Sequence, residues 1–266
     1  MTSTDAERVF NMRIDVLGVE VSAIDLEFAV KQIRSWVSAR SPNYVCVRDV
    51  HGVMASLRDP ELIDIHNRAG MVTPDGMPLV WCGRLAGASW TKRVYGPDLM
   101  LSVCEESTAD STRHFLYGAG PGVANDLAEK LRYRFPDIQI VGAHSPPYGD
   151  LTEEEVSETA AMINAARPDI VWVGLSTPKQ ERWMANFRRH LEAPVLIGVG
   201  AAFDMHAGRV RQAPEWIQKS GFEWLFRLCV EPRRLWRRYL TAIPTFLVQI
   251  AMRPPRLKGG APSSHR

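Results

Sequence analysis

Between His114 and Phe203 the chain alternates short apolar runs with stretches of helical period, and few folds accommodate that rhythm. A strand at 114–117 runs into a glycine-rich turn and an amphipathic helix that stops at Pro136. Three further strand candidates follow, IQIVGA, DIVWVGL and PVLIGVGAAF, with the helical stretches TEEEVSETAAMINAAR and PKQERWMANFRRH between them. Earlier, DLEFAVKQIRSWVSAR opens on Asp25 as a cap and repeats Leu26, Ala29, Val30, Ile33 and Val37 before NYVCV, which reads as a buried strand. Strands apolar on both faces need helices above and below them. The pattern therefore predicts an α/β fold, a Rossmann-like parallel sheet with helices on both faces. Ligands of such sheets bind at the carboxyl ends of the strands, the edge where the glycine-rich segments and Asp75 would lie.

The chain has 266 residues and 45% hydrophobic content, enough for one large α/β domain with an appendage or for two small domains. Net charge is only +2, which gives no reason to expect a nucleic-acid partner. Its distribution is uneven: residues 232–258 carry seven cations and no acid, leaving −5 for the remainder, so a basic C-terminal segment is joined to an acidic body. Cys46, Cys82, Cys104 and Cys229 are widely spaced in apolar contexts and read as reduced core thiols of a cytosolic protein. The N-terminus MTSTDAERVF has no apolar signal core, so export is not expected.

The stretch TPDGMPLVW places Asp75 between a proline and a glycine directly before an apolar run. Proline presets a turn, aspartate can cap the next helix and glycine permits unusual backbone angles, so a structural explanation suffices. The chemical alternative is a strand-end turn that holds a carboxylate over a cleft as a general base. GAGPGVA, with Gly118 and Gly120, follows a strand and opens a helix, the setting in which backbone N–H groups hold a phosphate. The following strand lacks the acid that grips a ribose, which weighs against an NAD site and leaves a structural turn or a site for another nucleotide or diphosphate. In GLSTPKQERW, Pro178 fits a first helical position, whereas Lys179, Gln180 and Glu181 are more polar than a turn requires, and Gln180 could hydrogen-bond a sugar or base. Asp204 and His206 lack a third ligand and read as structural, and no Asp-x-Asp occurs to hold a metal-bound diphosphate.

In the C-terminal segment, Arg227, Arg234, Arg237 and Arg238 fall within roughly a 100° arc at helical period, although Pro232 interrupts the helix. Trp224, Phe226, Trp236, Tyr239 and Phe246 interleave with them as at a bilayer surface. The run LTAIPTFLVQIAM is too short for a span of about 20 residues, so it should lie on a membrane rather than cross it. A docked helix with a solvated basic face is the plainer reading.

Taken together, TPDGMPLVW, RVYGPDLM, LYGAGPGVA, GLSTPKQE, GVGAAFD and GFEWLFRLCVEPRRLWRRY resemble the WecG/TagA/CpsF glycosyltransferases, in one consistent order over roughly residues 14 to 240. The resemblance implies a Rossmann-like inverting enzyme that needs no cofactor and moves a sugar from a UDP donor to a sugar on a polyprenyl diphosphate, at the inner face of the cytoplasmic membrane. It makes Asp75 the catalytic base, links Arg93 and Gln180 to the active site, and has Arg227, Arg234 and Arg237 balance the diphosphate. Family members commonly show Thr-x-Asn where this chain has Val47, Arg48 and Asp49, so the implied donor sugar widens from N-acetylmannosamine to another hexose. The implied organisation is a catalytic domain over 1–210, a membrane-associating helical appendage over 211–258 and a loose tail over 259–266. Oligomeric state is left open, because a segment that covers the site at the bilayer could cover a subunit contact in solution. Two alternatives stand beside this reading: a non-catalytic, membrane-recruited nucleotide-sugar-binding protein, and an NAD-linked oxidoreductase.

Overall fold

The computed structural model of the chain describes residues 12–147, 149, 151–210, 213–214, 217, 223–230 and 232–259. In chain order its elements are β1 (Met12–Val16), β2 (Val19–Ser22), α1 (Leu26–Ser38), β3 (Asn43–Arg48), α2 (Val50–Ser56), α3 (Pro60–Arg68), β4 (Met71–Pro74), α4 (Met77–Leu85) and α5 (Gly96–Ser107). There follow β5 (Arg113–Gly118), α6 (Val123–Arg134), β6 (Gln139–His144), α7 (Glu153–Ala165), β7 (Ile170–Gly174), α8 (Lys179–Phe187), β8 (Val195–Gly198), α9 (Ala202–His206), α10 (Glu223–Val230), α11 (Pro232–Met252) and β9 (Arg256–Gly259).

The expected α/β architecture is present. Six strands form one sheet in the order β4-β3-β8-β7-β5-β6, and β3–β8, β8–β7, β7–β5 and β5–β6 pair in parallel. The chain divides into two compact units, one drawn from residues 27–46 and 96–211 and the other from 1–26, 47–95 and 212–266. In the 27–46/96–211 unit, β7 and β8 are buried at every residue, which is why IVWVG and VLIG read as continuous apolar runs. Helix α7 begins with a reciprocal capping box between Thr152 and Glu155, the sharpest local start signal in the chain. Between the central strands, His114 is fully buried; its Nδ1 accepts a hydrogen bond from Trp172 Nε1 at 3.0 Å. Burial pulls the His114 pKa down to about 4, so the ring is neutral at physiological pH.

The other unit contains a feature absent from the sequence reading, a three-stranded antiparallel sheet in the order β2-β1-β9. Its register sets Ile14 opposite Val21 and Leu257, joining the described start of the chain to its described end. Strands of four or five residues with partners some 240 positions apart leave no periodic trace to follow. Ile14, Val16, Val19 and Val21 form the buried face, and Ser22 Oγ accepts from the Val72 amide of β4 at 3.1 Å. Helix α4 packs on β1 and β4, and α11 packs on α2 and α10.

The interruption expected at Pro232 separates α10 from α11, whereas Pro244 sits inside α11 without ending it. Trp236 is exposed, but Phe246 is buried, so that aromatic is turned inward rather than toward a surface. Cys46, Cys82 and Cys104 are buried free thiols as expected; Cys229 is exposed on α10 and is not the core thiol that its apolar context suggested. Among the described residues no helix is long and apolar enough to cross a membrane. Residues 1–11 and 260–266, the boundary at 211 and the side chains of Trp224 and Tyr239 lie outside what the structure describes.

Candidate active site

Two groups of the singled-out residues occupy strand ends, one in each unit. In the 1–26/47–95/212–266 unit the ends of β3 and β4 are tied together: the Asp75 amide donates to the Arg48 carbonyl at 2.8 Å. The Val94 amide donates to the Pro74 carbonyl at 2.9 Å, and Thr73 Oγ1 donates to the Val94 carbonyl at 3.4 Å. These bonds bring the RVY segment beside the Pro-Asp-Gly turn. Arg93 Nε then donates to the Asp75 carbonyl at 2.5 Å while its guanidinium lies 4.0 Å from the Tyr95 ring centroid, so one arginine braces the aspartate's backbone and is itself held flat on an aromatic face.

Gly76, not Asp75, occupies the cap position of α4, and as a glycine it brings no side chain to the helix start. The Asp75 side chain is half-buried, on a backbone fixed from both sides.

Asp49 has a different duty: it caps α2, its carboxylate accepting from the Gly52 amide at 2.9 Å. Asparagine caps equally well, so an acid in place of the family's amide keeps the helix start and changes the charge at this strand end. Val47 is buried and contributes its carbonyl, which accepts from Arg48 Nε at 2.8 Å. Arg48, which the sequence reading passed over, is only 2% exposed. Gly52 makes room for it: a Cβ there would sit 2.5 Å from Arg48 Nη1. The signal was available in NYVCVRDV, where an arginine ends an apolar strand and a glycine follows four residues later. Burial and, secondarily, the Arg48 charge pull the pKa of buried His66 down to about 3.

In the 27–46/96–211 unit, β5, β7 and β8 each end on a glycine, and the strand ends approach so closely that no side chain fits between them. A Cβ on Gly118, whose φ is +124°, would lie 2.8 Å from the Gly174 backbone, and the Ala119 amide donates to the Gly174 carbonyl at 2.8 Å. A Cβ on Gly174 would strike the Phe203 ring at 2.5 Å, and one on Gly198 would meet Met184 Cε at 2.7 Å. Gly120 accepts from the Val123 amide at 3.1 Å in the turn before α6, whose cap, Gly122 at φ +80°, brings no side-chain bond to the helix N-terminus.

Gln180 stands beside this glycine cluster on α8. It is 3% exposed, its amide carbon would be 3.3 Å from a Cβ on Gly198, and its Oε1 is buried with no hydrogen-bond partner among the described residues. A buried amide oxygen left unsatisfied is uncommon and suits a site that completes its bonds with a ligand. Glu181 is fully buried one residue on, 3.5 Å from Thr177 Oγ1, while Lys179 is exposed; three neighbouring polar residues thus divide between interior and solvent.

His206 donates from Nε2 to the Pro97 carbonyl at 3.0 Å, the structural part expected of it, and burial, outweighing that hydrogen bond, lowers its pKa. Among the described residues no group of three or more His, Cys, Asp or Glu is arranged to hold a metal. Arg227 lies on α10, and Arg234 and Arg237 on α11; their side chains, with those of Arg233 and Arg238, lie outside the described residues. Helix α11 packs against α2, the helix that Asp49 caps.

Comparison with known proteins places the chain among related sequences. Residues 14–259 match the model of a family described as Glycosyl transferase WecG/TagA/CpsF family. The N-acetylglucosaminyldiphosphoundecaprenol N-acetyl-beta-D-mannosaminyltransferase of Bacillus subtilis is 31% identical over 196 residues, 74% of each chain. The protein of the same description from Staphylococcus aureus is 27% identical over 257 residues, 96% of this chain and 98% of its own. On a match that spans nearly the whole chain, and a relative above 30% identity over three quarters of it, this protein belongs to the WecG/TagA/CpsF glycosyl transferase family.

Proposed function

We propose that this glycosyltransferase is an inverting, metal-independent enzyme that moves a hexose or N-acetylhexosamine from a UDP-sugar to a sugar carried on a polyprenyl diphosphate, in surface polysaccharide biosynthesis. The relatives' printed description, transfer of N-acetylmannosamine to an N-acetylglucosaminyl diphosphoundecaprenol, supports the acceptor class. The donor stays broader because Val47 and Asp49 depart from the family pattern. The observation that carries the proposal is Asp75, a half-buried residue at a strand end whose backbone is held through its own amide and carbonyl.

In the proposed reaction, the acceptor hydroxyl gives its proton to the Asp75 carboxylate while its oxygen bonds to the anomeric carbon. The bond from that carbon to the UDP oxygen breaks on the opposite face, and UDP leaves with the electron pair. Arg93 keeps the Asp75 backbone in place. The Gly118–Gly122 turn, with the open start of α6, receives phosphate, and the unsatisfied Gln180 oxygen accepts a donor N–H or O–H. Arg227, Arg234 and Arg237 meet the charge that grows on the departing diphosphate, the work a cation does elsewhere. The basic segment over 211–258 acts as an appendage on the cytoplasmic membrane surface, next to the lipid-borne acceptor.

The test is a transfer assay with a polyprenyl diphosphate-sugar and a panel of UDP-sugars, run on the wild type and Asp75→Asn without metal and with chelator. One donor should turn over, with activity lost in the variant. Absence of transfer from every donor, with UDP binding and vesicle binding intact, would favour the non-catalytic recruitment reading.

A further inference from the structure

Eleven large apolar side chains are exposed among the described residues, and nine of them belong to the 1–26/47–95/212–266 unit. Some are expected, because the C-terminal helices bring Trp236, Leu247, Val248 and Met252. The remainder include a group to which no role has been given: Trp81 (50% exposed) and Leu85 (67%) on α4, and Trp90 (38%) in the loop beyond it. Trp81 and Leu85 are four residues apart, so they lie on one face of the helix, with exposed Arg84 between them. Trp90 is presented rigidly. Its indole N–H donates to the Ala23 carbonyl at 2.8 Å, and neighbouring Thr91 seats so closely on α4 that a Cβ at Gly83 would be 2.8 Å from its Oγ1.

We infer that this face of α4 and its following loop is a second membrane-contacting surface, separate in sequence from the C-terminal helices, that docks on an anionic bilayer. The inference rests on the proposed reading of the protein as a transferase working at a bilayer and names a further part of the chain that meets it. Three observations favour lipid as the occupant. From Gly76 to Pro97 the chain has no acid, and Arg84 is an exposed cation on the apolar face itself, a basic and aromatic character like that of residues 232–258; Lys92 is exposed but pairs with Asp25 at 3.1 Å, and Arg93 is committed to the Asp75 carbonyl. The Trp90 N–H is satisfied internally, so its ring can enter an apolar layer without stranding a donor. A second copy is disfavoured, because an isologous contact would set Arg84 against an identical face with no acid in this segment to pair with it. Position suits the proposed chemistry as well: α4 starts two residues after Asp75, and its nine residues extend roughly 13 Å. A base one short helix from the bilayer is within reach of a sugar carried on a membrane-borne diphosphate.

The test uses full-length protein and sedimentation with vesicles of phosphatidylcholine alone or with about one-third phosphatidylglycerol. The double substitution Trp81→Gln/Leu85→Gln should weaken binding to the anionic vesicles about tenfold, with wild-type melting behaviour, since both side chains already face solvent. In the wild type, hydrogen exchange across residues 77–92 should slow when anionic vesicles are added, a readout that needs no variant. Unchanged binding by the double variant, or exchange over 77–92 that vesicles do not slow, overturns the inference. If binding then falls instead in Leu247→Gln/Val248→Gln, the role of the C-terminal helices stands alone. Wild-type protein that binds neither vesicle overturns both readings. A double variant that binds vesicles normally but changes from dimer to monomer assigns the face to a second copy and also overturns the inference.

Discussion

The two units of this protein treat their surfaces in opposite ways. The unit of residues 27–46 and 96–211 has 14 basic and 17 acidic residues and exposes only Tyr133 and Met162 among its described large apolar side chains. The other unit has 18 basic and 13 acidic residues and exposes nine. The first holds glycine strand ends packed to the limit of backbone contact and an amide buried beside them. The second holds a carboxylate, a stacked arginine and aromatics turned outward. Exposed apolar area in quantity is unfavourable in water unless something covers it, so the asymmetry is what the proposed division requires, a membrane surface for one unit and a nucleotide-sugar for the other.

Several measurements would break or sharpen that contrast. Among changes that leave the Asp75 carboxylate in place, the largest expected effect is on Arg93: Arg93→Ala removes both the bond to the Asp75 carbonyl and the stack on Tyr95, and transfer should fall about 100-fold, mainly in kcat. Arg93→Lys should recover little of this, because an ammonium cannot both stack and donate through Nε. Next is stability in the glycine-ended unit. Gly174→Ala drives a methyl group into the Phe203 ring and should cost about 2 kcal/mol, seen as a melting point lower by several degrees. Gly76→Ala in the other unit, where the nearest atom to a new Cβ is Pro78 Cδ at 3.5 Å, should be close to neutral.

Gln180→Leu should raise the donor KM about tenfold and leave kcat within about twofold, the signature of lost ground-state binding. An equal loss in kcat would move Gln180 from donor binding to chemistry.

The smallest effect is the pH dependence of stability, and here the units should agree. His66 in one and His114 in the other are buried with pKa values pulled from 6.5 to about 3 and about 4. The unfolded chain therefore binds protons that the folded chain refuses between pH 6.5 and about 4. Stability from these two rings is complete above pH 6.5 and is lost as pH falls toward the folded values, by about 1 kcal/mol per ring at pH 5.5. Urea melts at pH 7 and 5.5 on the wild type and His114→Gln, which keeps an acceptor for Trp172, measure one ring's share.

How far the sequence foretold these units differs for physical reasons. The region from β5 to α9 was legible because parallel strands buried on both faces are uniformly apolar, and the intervening helices carry their own period and stops, from the Thr152 capping box to Pro136. The β2-β1-β9 sheet was not, since its strands are short and its pairing joins the two ends of the described chain. Asp75 was visible as a motif, but the helix boundary beside it was not: only the backbone angles show that Gly76, rather than Asp75, takes the cap position. The glycine cluster could be read as a phosphate turn, whereas the contacts of Gly118 with Gly174 and of Gly174 with Phe203 are tertiary and leave no local trace. Arg48 had a local signal in its apolar strand and the glycine four residues on, but its burial is a tertiary fact that depends on the space Gly52 leaves for it. The outward face of α4 went unread for the opposite reason: Trp81 and Leu85 in an apolar run look like core until their exposure is known.

The central claim is that the Asp75 carboxylate takes the acceptor's proton. Its most direct test pairs calorimetric UDP titration with single-turnover sugar transfer on the wild type and Asp75→Asn, which replaces one carboxylate oxygen with nitrogen and removes the base. UDP affinity should stay within about twofold while transfer falls about 1,000-fold. Transfer at the wild-type rate by the asparagine variant would contradict the account.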